Sequence, residues 1–282
     1  MLAYDGTAWG PVSSGIYNIR FHDVAGTAPN DVWAAGGGGL IAHWDGGAWT
    51  SYQTTTDFEL LGVWALAPND VWAVSGSGPV FHWDGVDWTE ADPGGQPLVD
   101  LWASASDDVW AVGQGGIILH FDGNGWALST SNTTNNVYDV CGTGPSDVWA
   151  AAGDTVLHWD GGAWTPVAFD FGGTQLVSVA CGGADDLWVA GTFGNAWHWD
   201  GNGWAPSNVG TNTTLESIWG TGAEAWATSQ GTFTPLYHWD GTQWSATQPP
   251  GPWLEALWGA PGGDLWAVGD DSAILRLPGG GP

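Results

Sequence analysis

The sequence predicts an all-β, seven-bladed β-propeller of four-stranded antiparallel blades, and three observations carry that prediction. A D-[VL]-W-[AV] segment, Glu-Ala-Trp-Ala in its sixth copy, places a tryptophan at Trp33, Trp72, Trp110, Trp149, Trp188, Trp226 and Trp266, at steps of 38 to 40 residues. A second segment, [HA]-[WFY]-D-G-x-x-W, sets aspartates at Asp5, Asp45, Asp84, Asp122, Asp160, Asp200 and Asp240, again seven. The chain also ends one strand short of a full unit and begins with the strand it lacks. A period near 40 residues marks units that cannot bury their apolar faces alone and do so by stacking.

Each unit reads as four short strands, for example Leu98 to Ala103, Asp108 to Gly113, Gly116 to Phe121 and Gly125 to Ser129. All are strand-length, and no helical period appears. The second strand, Val-Trp-Ala-Val, is apolar on both sides, as expected where neighbouring sheets cover both faces. Third and fourth strands meet at Asp-Gly turns such as Asp45-Gly46 and Asp122-Gly123, a strong hairpin signal. Blades fall at about 15–51, 58–90, 97–129, 136–168, 175–207, 214–247, and 253–277 with 2–12, as one domain over 1–282. In the last blade Ala273 to Leu277 is a third strand, and Ala8 to Val12, after the turn at Asp5-Gly6, supplies the fourth. That pairing joins the termini and removes open edges. Met1 to Tyr4 then duplicate a strand already present, which suggests a stub or a longer repeat array.

Charge narrows the function. Thirty acidic residues face only Arg20 and Arg276, giving a formal net charge of -28. Nucleic acid is not an expected partner, because phosphate contacts need clustered Lys and Arg. An anionic leaflet is equally repelled. No apolar run approaches the roughly 20 residues that cross a bilayer, so no membrane insertion is expected. Met1 to Val12 lacks the basic end and apolar core of a signal peptide. The acidic excess suits an exported, extracellular or cell-surface protein.

The recurring residues have structural explanations. Twenty-three of the 25 tryptophans occupy four repeat positions, which reads as blade-to-blade packing. Six of the seven histidines (His43, His82, His120, His158, His198 and His238) share one strand position, taken by Arg276 in the last blade. Positions spread around a ring cannot converge on one ion, so no metal site is expected, and no motif supports bound calcium or another cofactor. The turn aspartates are explained by their Asp-Gly context. Nothing in a sevenfold repeat singles out the carboxylate pair, roughly 5 to 9.5 Å apart, that a glycosidase needs. No nucleophile elbow, phosphate loop or dinucleotide fingerprint is present, so no catalytic residue is expected. Cys141 and Cys181 fall in the innermost strands of consecutive blades, offset by one position. They leave opposite faces of their strands and could meet between blades, leaving a disulfide or two buried thiols as the alternatives.

Differences among the copies point to a recognition face. The loop before Asp-Val-Trp and the Asp-Gly turn are near-constant and lie at one end of the strands. The other two connections change in nearly every blade and open on the opposite face. That face carries the off-repeat rings Trp253, Phe193, Phe233, Tyr52, Phe58, Phe169 and Phe171, with Trp197 near the start of a third strand. Rings beside Asn, Thr, Asp and Gly are the materials of a sugar site, so these eight are the candidate ligand-binding residues.

The stretch Leu98 to Asp139, with Val109-Trp110-Ala111-Val112-Gly113, Gly116-Ile117-Ile118 and Asp122-Gly123-x-x-Trp126, resembles the tectonin-type propeller repeat and is similar to Asp-box (BNR-like) repeats. That resemblance implies sugar binding at several sites around the ring, as in seven-bladed bacterial propeller lectins. Histidine stands where Asp-box sialidases have serine, and two arginines cannot form the sialidase arginine cluster. The expectation is a monomeric, non-enzymatic, multivalent propeller whose partners are glycans or glycoconjugates, exported by a bacterium. The alternatives are a protein-interaction scaffold with no small ligand and, less favoured, a polysaccharide-active enzyme marked by one asymmetric cleft.

Overall fold

A computed structural model of the chain describes residues 9–222, 224–231, 235–247, 251–260 and 263–279. Seven four-stranded antiparallel sheets stand in a ring, a seven-bladed β-propeller. Blade 3 runs Leu98–Ala105, Asp108–Gly113, Ile118–Phe121 and Trp126–Ser129, each strand paired with the next. Its third strand starts at Ile118 rather than Gly116, because Gln114–Gly116 forms a 3₁₀ turn first. Gly116 takes φ +81° there, and a Cβ on it would lie 2.1 Å from the Thr133 carbonyl. Only glycine fits.

The first strand of every blade packs against the first strands of both neighbours, closing an inner circle around an axial channel. Closure of the sheets follows the expected scheme. Gly10–Pro11 pairs with Ile274–Leu277, and the Val12 amide donates to the Ile274 carbonyl at 2.9 Å. Ala8, Asp5-Gly6 and Met1 to Tyr4 lie outside the described residues.

Tryptophans fill the space between blades. Trp33 of blade 1 meets Trp83 and Trp88 of blade 2, with ring centroids 6.1 and 6.0 Å apart, and Trp110 of blade 3 repeats this with Trp159 and Trp164. Burying an indole removes 150–250 Å² from water, roughly 4–6 kcal/mol at 25 cal/mol/Å² before entropy is subtracted. Five of the six repeat histidines bond an aspartate at the start of the second strand, as their shared position suggested, whereas His238 in blade 6 stacks on Trp226 at 4.1 Å and lies 3.6 Å from Glu224. His43 bonds Asp31 at 2.8 Å and stacks on Trp33 at 3.9 Å. His82–Asp70, His120–Asp108, His158–Asp147 and His198–Asp186 follow at 2.6–2.8 Å. In blade 7 Arg276 pairs with Asp264 in their place. Each pair pins the third strand to the start of the second.

A second device ties blade to blade around the axis. The innermost-strand residue opposite the Asp-x-Trp tryptophan leans onto the following position of the next blade. Trp102 covers Gly142, Trp219 covers Gly259 and Trp258 covers Gly26, where an added Cβ would meet the ring at 2.4–2.8 Å. Trp64 instead donates its indole N–H to the Ala103 carbonyl at 3.1 Å. Between blades 4 and 5 the same two positions hold Cys141 and Cys181, joined in a disulfide with Cα atoms 5.7 Å apart.

Candidate functional site

Strand order places the four connections of each blade at two ends of the ring. One end is uniform. Its Asp-Gly turns are closed by the aspartate itself: Asp45 Oδ1 accepts the Gly47 and Ala48 amides, both at 2.8 Å. Such bonds favour the carboxylate, so Asp45, Asp84, Asp122, Asp160 and Asp200 titrate below the usual range. Asp240, which also takes the Thr242 hydroxyl, is lowered to about 2.

The other end carries the variable connections, and its surface depressions are unequal. Over blade 4, Phe169, Asp170, Thr155, Asp154 and Gly173 border a depression of about 540 Å³. Its neighbour, about 430 Å³, shares Asp154 and Gly173 and continues to Asn135, Asn136, Tyr138 and Gln175. The two adjoin at Asp154 and Gly173, and the groove they make has Phe169 bordering one part, the Tyr138 phenol the other, and amides and carboxylates in its lining. Asn135 donates to Asp154 at 2.9 Å, Gln175 to the Tyr138 hydroxyl at 2.5 Å, and Asn136 to the same hydroxyl at 3.3 Å. Phe169 is 37% exposed, its edge supported by Phe171 at 4.9 Å. A depression over blade 3, bordered by Ile117, Leu128 and the Ser131-Asn132-Thr133 turn, contains no aromatic ring. A third lies at the seam between blades 7 and 1, about 450 Å³, with Trp253 in its wall.

The expected ring residues therefore part company. Phe58 and Phe193 are exposed at 63% and 62%, and Phe169 borders the groove. Phe171 and Trp197, 1% and 7% exposed, are a correction: they pack edge-to-face at 5.3 Å in the core between blades 4 and 5 and offer no ring face to a ligand. Tyr52 is half-buried between Trp33 and Trp83. Trp253 has Arg20 lying over its ring at 4.6 Å. Phe233 lies outside the described residues. Asp154, Asn135, Tyr138 and Gln175 were not expected, since they reach the groove from separate loops and no spacing announces them.

Off-repeat titratable groups gather at two places away from the groove. At the seam, Glu255 bridges the Arg20 guanidinium and His22 Nδ1, the latter at 2.7 Å. Burial lowers the His22 pKa against the pull of Glu59, and burial raises that of Glu216 against Arg20. Inside the axial channel, carboxyls of the innermost strands accept amides of the next blade: Asp23 from Val63, Asp100 from Val140 and Asp139 from Val179, each at 2.8 Å. Burial pushes Asp23 up to about 7, and burial with the neighbouring Asp139 and Asp23 pushes Asp100 well above the carboxylate range. Among the described residues no three His, Cys, Asp or Glu side chains form a metal-binding group.

No protein-family model matches the chain, and no curated protein matches it in sequence. Solved structures share its architecture. YCF48 bound to a D1 peptide superposes with TM-score 0.78 at 16% identity, over 97% of this chain and 96% of that one. YCF48 from Cyanidioschyzon merolae gives 0.76 at 15%, over 96% and 98%. A catalytically inactive virginiamycin B lyase from Staphylococcus aureus, with quinupristin, gives 0.83 at 12%, over 95% and 98%. Proteins of differing function thus share this ring, and at such identity the likeness establishes the seven-bladed fold alone.

Proposed function

We propose that the chain is a non-enzymatic carbohydrate-binding propeller whose principal site is the groove over blade 4. The observation that carries this reading is the convergence there of an exposed ring, two carboxylates, amides and a phenol. A flat ring takes the C–H face of a sugar while fixed polar groups take its hydroxyls. The repeat's resemblance to tectonin-type propellers points the same way. The several equivalent sites implied by that resemblance narrow to one principal groove, because the blade 3 depression lacks a ring and the seam ring is covered by Arg20. Asp154, Asp170 and the charge of -28 select against sialic and uronic acids, leaving uncharged glycans. The disulfide fits an oxidising, extracytosolic setting. The perturbed groups of the seam and channel are engaged in holding blades together and lie outside the groove, which favours binding over catalysis. Binding to a broad glycan array tests the reading: we expect uncharged ligands, and loss of at least about tenfold in affinity in Phe169→Ala and Asp154→Ala. Silence across the array in the folded wild type ends it.

A second reading, a protein-interaction propeller, rests on Tyr17 and Phe58. Their rings are 76% and 63% exposed in two linkers of the variable face, outside the depressions described above. Isolated exposed rings serve as interface anchors, and one YCF48 structure of the same seven-bladed shape is bound to a D1 peptide. Under this reading Tyr17→Ala with Phe58→Ala abolishes co-purification of a defined partner while Phe169→Ala does not.

A further inference from the structure

Phe193 stands at the centre of the turn Thr192–Gly194 with φ +62° and its side chain 62% exposed. The equivalent turns place Gly38, Gly115 and Asp271 at this point, with φ +65°, +67° and +54°. Glycine adopts this conformation freely and aspartate tolerates it, whereas a bulky ring is an outlier. The left-handed backbone opposes the folded state, the exposed ring gains little by burial, and among the described residues no aromatic contact of Phe193 offsets the strain. Such strain persists only where the surroundings fix it, and here they do. Asn208 donates to the Phe193 carbonyl at 3.0 Å, and the Gly194 amide donates to the Thr213 carbonyl at 2.8 Å. The turn is thus held from its outer side by the following linker.

From its other side the turn is bonded to the wall of the groove. The Thr192 amide donates to the Gln175 carbonyl at 3.1 Å, the Gln175 amide to the Thr192 hydroxyl at 3.1 Å, and Asn195 to the Thr174 hydroxyl at 3.0 Å. Gln175 is itself a groove residue through its bond to Tyr138. The exposed ring therefore stands on a backbone bonded to Gln175 of the groove wall, with Asn208 and Thr211 as polar neighbours along the following linker.

Resting on the carbohydrate reading above, we propose that Phe193 is a second ring-stacking subsite, so that the groove takes uncharged oligosaccharides of two or more units rather than a single terminal sugar. The ring has properties of a binding anchor: it is large and exposed, sits on a backbone held from both sides, and has hydrogen-bonding groups beside it. Phe169 and Phe193 then bracket the ligand, and the amides and carboxylates between them fix its hydroxyls.

The experiment is calorimetry on cello-, malto- and N-acetylated chito-oligosaccharide ladders, from one to six units, with wild type, Phe193→Gly and Phe169→Ala. Affinity in the wild type is expected to rise about tenfold between one unit and the longer members of the ladder that binds. Phe193→Gly should abolish that rise, keep single-sugar affinity within about twofold, and melt no lower than the wild type because the strained ring is gone. Retention of the full length dependence in Phe193→Gly overturns the inference while leaving the carbohydrate reading intact. A clear fall in melting temperature also overturns it, since the ring would then belong to the fold. Failure of every ladder and array member to bind the wild type removes both.

Discussion

Replacing the inter-blade disulfide tests whether it occupies the position that tryptophan on glycine fills elsewhere. Cys141 and Cys181 are 40 residues apart, so their bond closes a loop spanning one whole blade. Loop-closure entropy for that length is about 13 cal/mol/K, or roughly 4 kcal/mol at 25 °C. With an unfolding entropy of about 2.1 cal/mol/K per residue over the 282 residues, the loss of both cysteines should lower the melting temperature by about 7 °C. Scanning calorimetry of Cys141→Ala/Cys181→Ala against the oxidised wild type reads this directly. The equivalence makes a sharper claim about Cys141→Trp/Cys181→Gly, which writes into this junction the pair found at Trp102–Gly142, Trp219–Gly259 and Trp258–Gly26. Once side-chain entropy and incomplete burial are subtracted from the roughly 4–6 kcal/mol of full burial, one indole contributes on the order of 2 kcal/mol, enough to recover about 3 °C over the alanine pair. An alanine pair that melts within about 1 °C of the wild type refutes the loop estimate. A tryptophan–glycine pair no better than alanine refutes the claim that the two junctions are alike.

Raised carboxyls in the channel give stability an unusual pH dependence. Asp23 at about 7 and the raised Asp100 bind more protons folded than unfolded, so their contribution is complete below about pH 4 and is lost as pH rises through 7. The turn aspartates act oppositely, stabilising above about pH 4 and ceasing to do so as pH falls toward their lowered values. Calorimetry in high salt should find a higher melting temperature at pH 5 than at pH 8, with the difference shrinking in Asp23→Asn and Asp100→Asn; a flat profile in the wild type contradicts this. Gly259→Ala drives a Cβ to 2.4 Å from Trp219 and should cost about 1–3 kcal/mol, whereas Gly10→Ala, with nothing within 4 Å, should be nearly neutral. Equal melting temperatures for the two would show that the indole moves aside freely.

The ring was legible because the blades repeat the same solution, so seven copies of Trp33 and Asp45 and six of His43 average out local noise. Pairing of His43 with Asp31 was half visible: the shared position marked it as structural, but its partner lies twelve residues away on another strand. The disulfide followed from placing Cys141 and Cys181 on opposite faces of neighbouring inner strands, although spacing could not exclude free thiols. Ring exposure was not legible. Phe169 and Phe171 are two residues apart in one linker, yet one borders solvent and the other is enclosed by Trp197 and Trp204, a distinction that only the folded loop creates. The channel carboxyls were missed for a related reason. Their column reads Asp23, Gly62, Asp100, Asp139, Ser178, Ser217 and Ala256, which looks like drift. In the structure it is compensated around the axis: Gly62 is needed because Asp100 leaves no room for a Cβ, and Ser178 and Ser217 take over the amides of Ile218 and Leu257.

Variation among copies therefore has two physical sources, and separating them is what assigns function to one place and not another. A propeller made from one chain has a single seam, where its two ends meet: here Gly10–Pro11 pairs with Ile274–Leu277 inside blade 7, and the chain then runs on into blade 1. Among the described residues Gly10 and Pro11 form the closing strand. The seam is reinforced on the variable face by Arg20 and His22 on Glu255, by Arg20 near Asp270 at 3.3 Å, and by the Ser272 hydroxyl accepting from the Ile19 amide at 3.0 Å. Arg20 and His22 have no counterparts in other blades because those blades have no seam. The same reasoning accounts for the channel column, where each substitution answers its neighbour across the ring. Closure explains neither Phe169 beside Asp154 nor Phe193 held at positive φ. Neither feature serves the fold: Phe169 lies on the linker between blades 4 and 5, and the turn that carries Phe193 is bonded to Gln175 in the groove's wall.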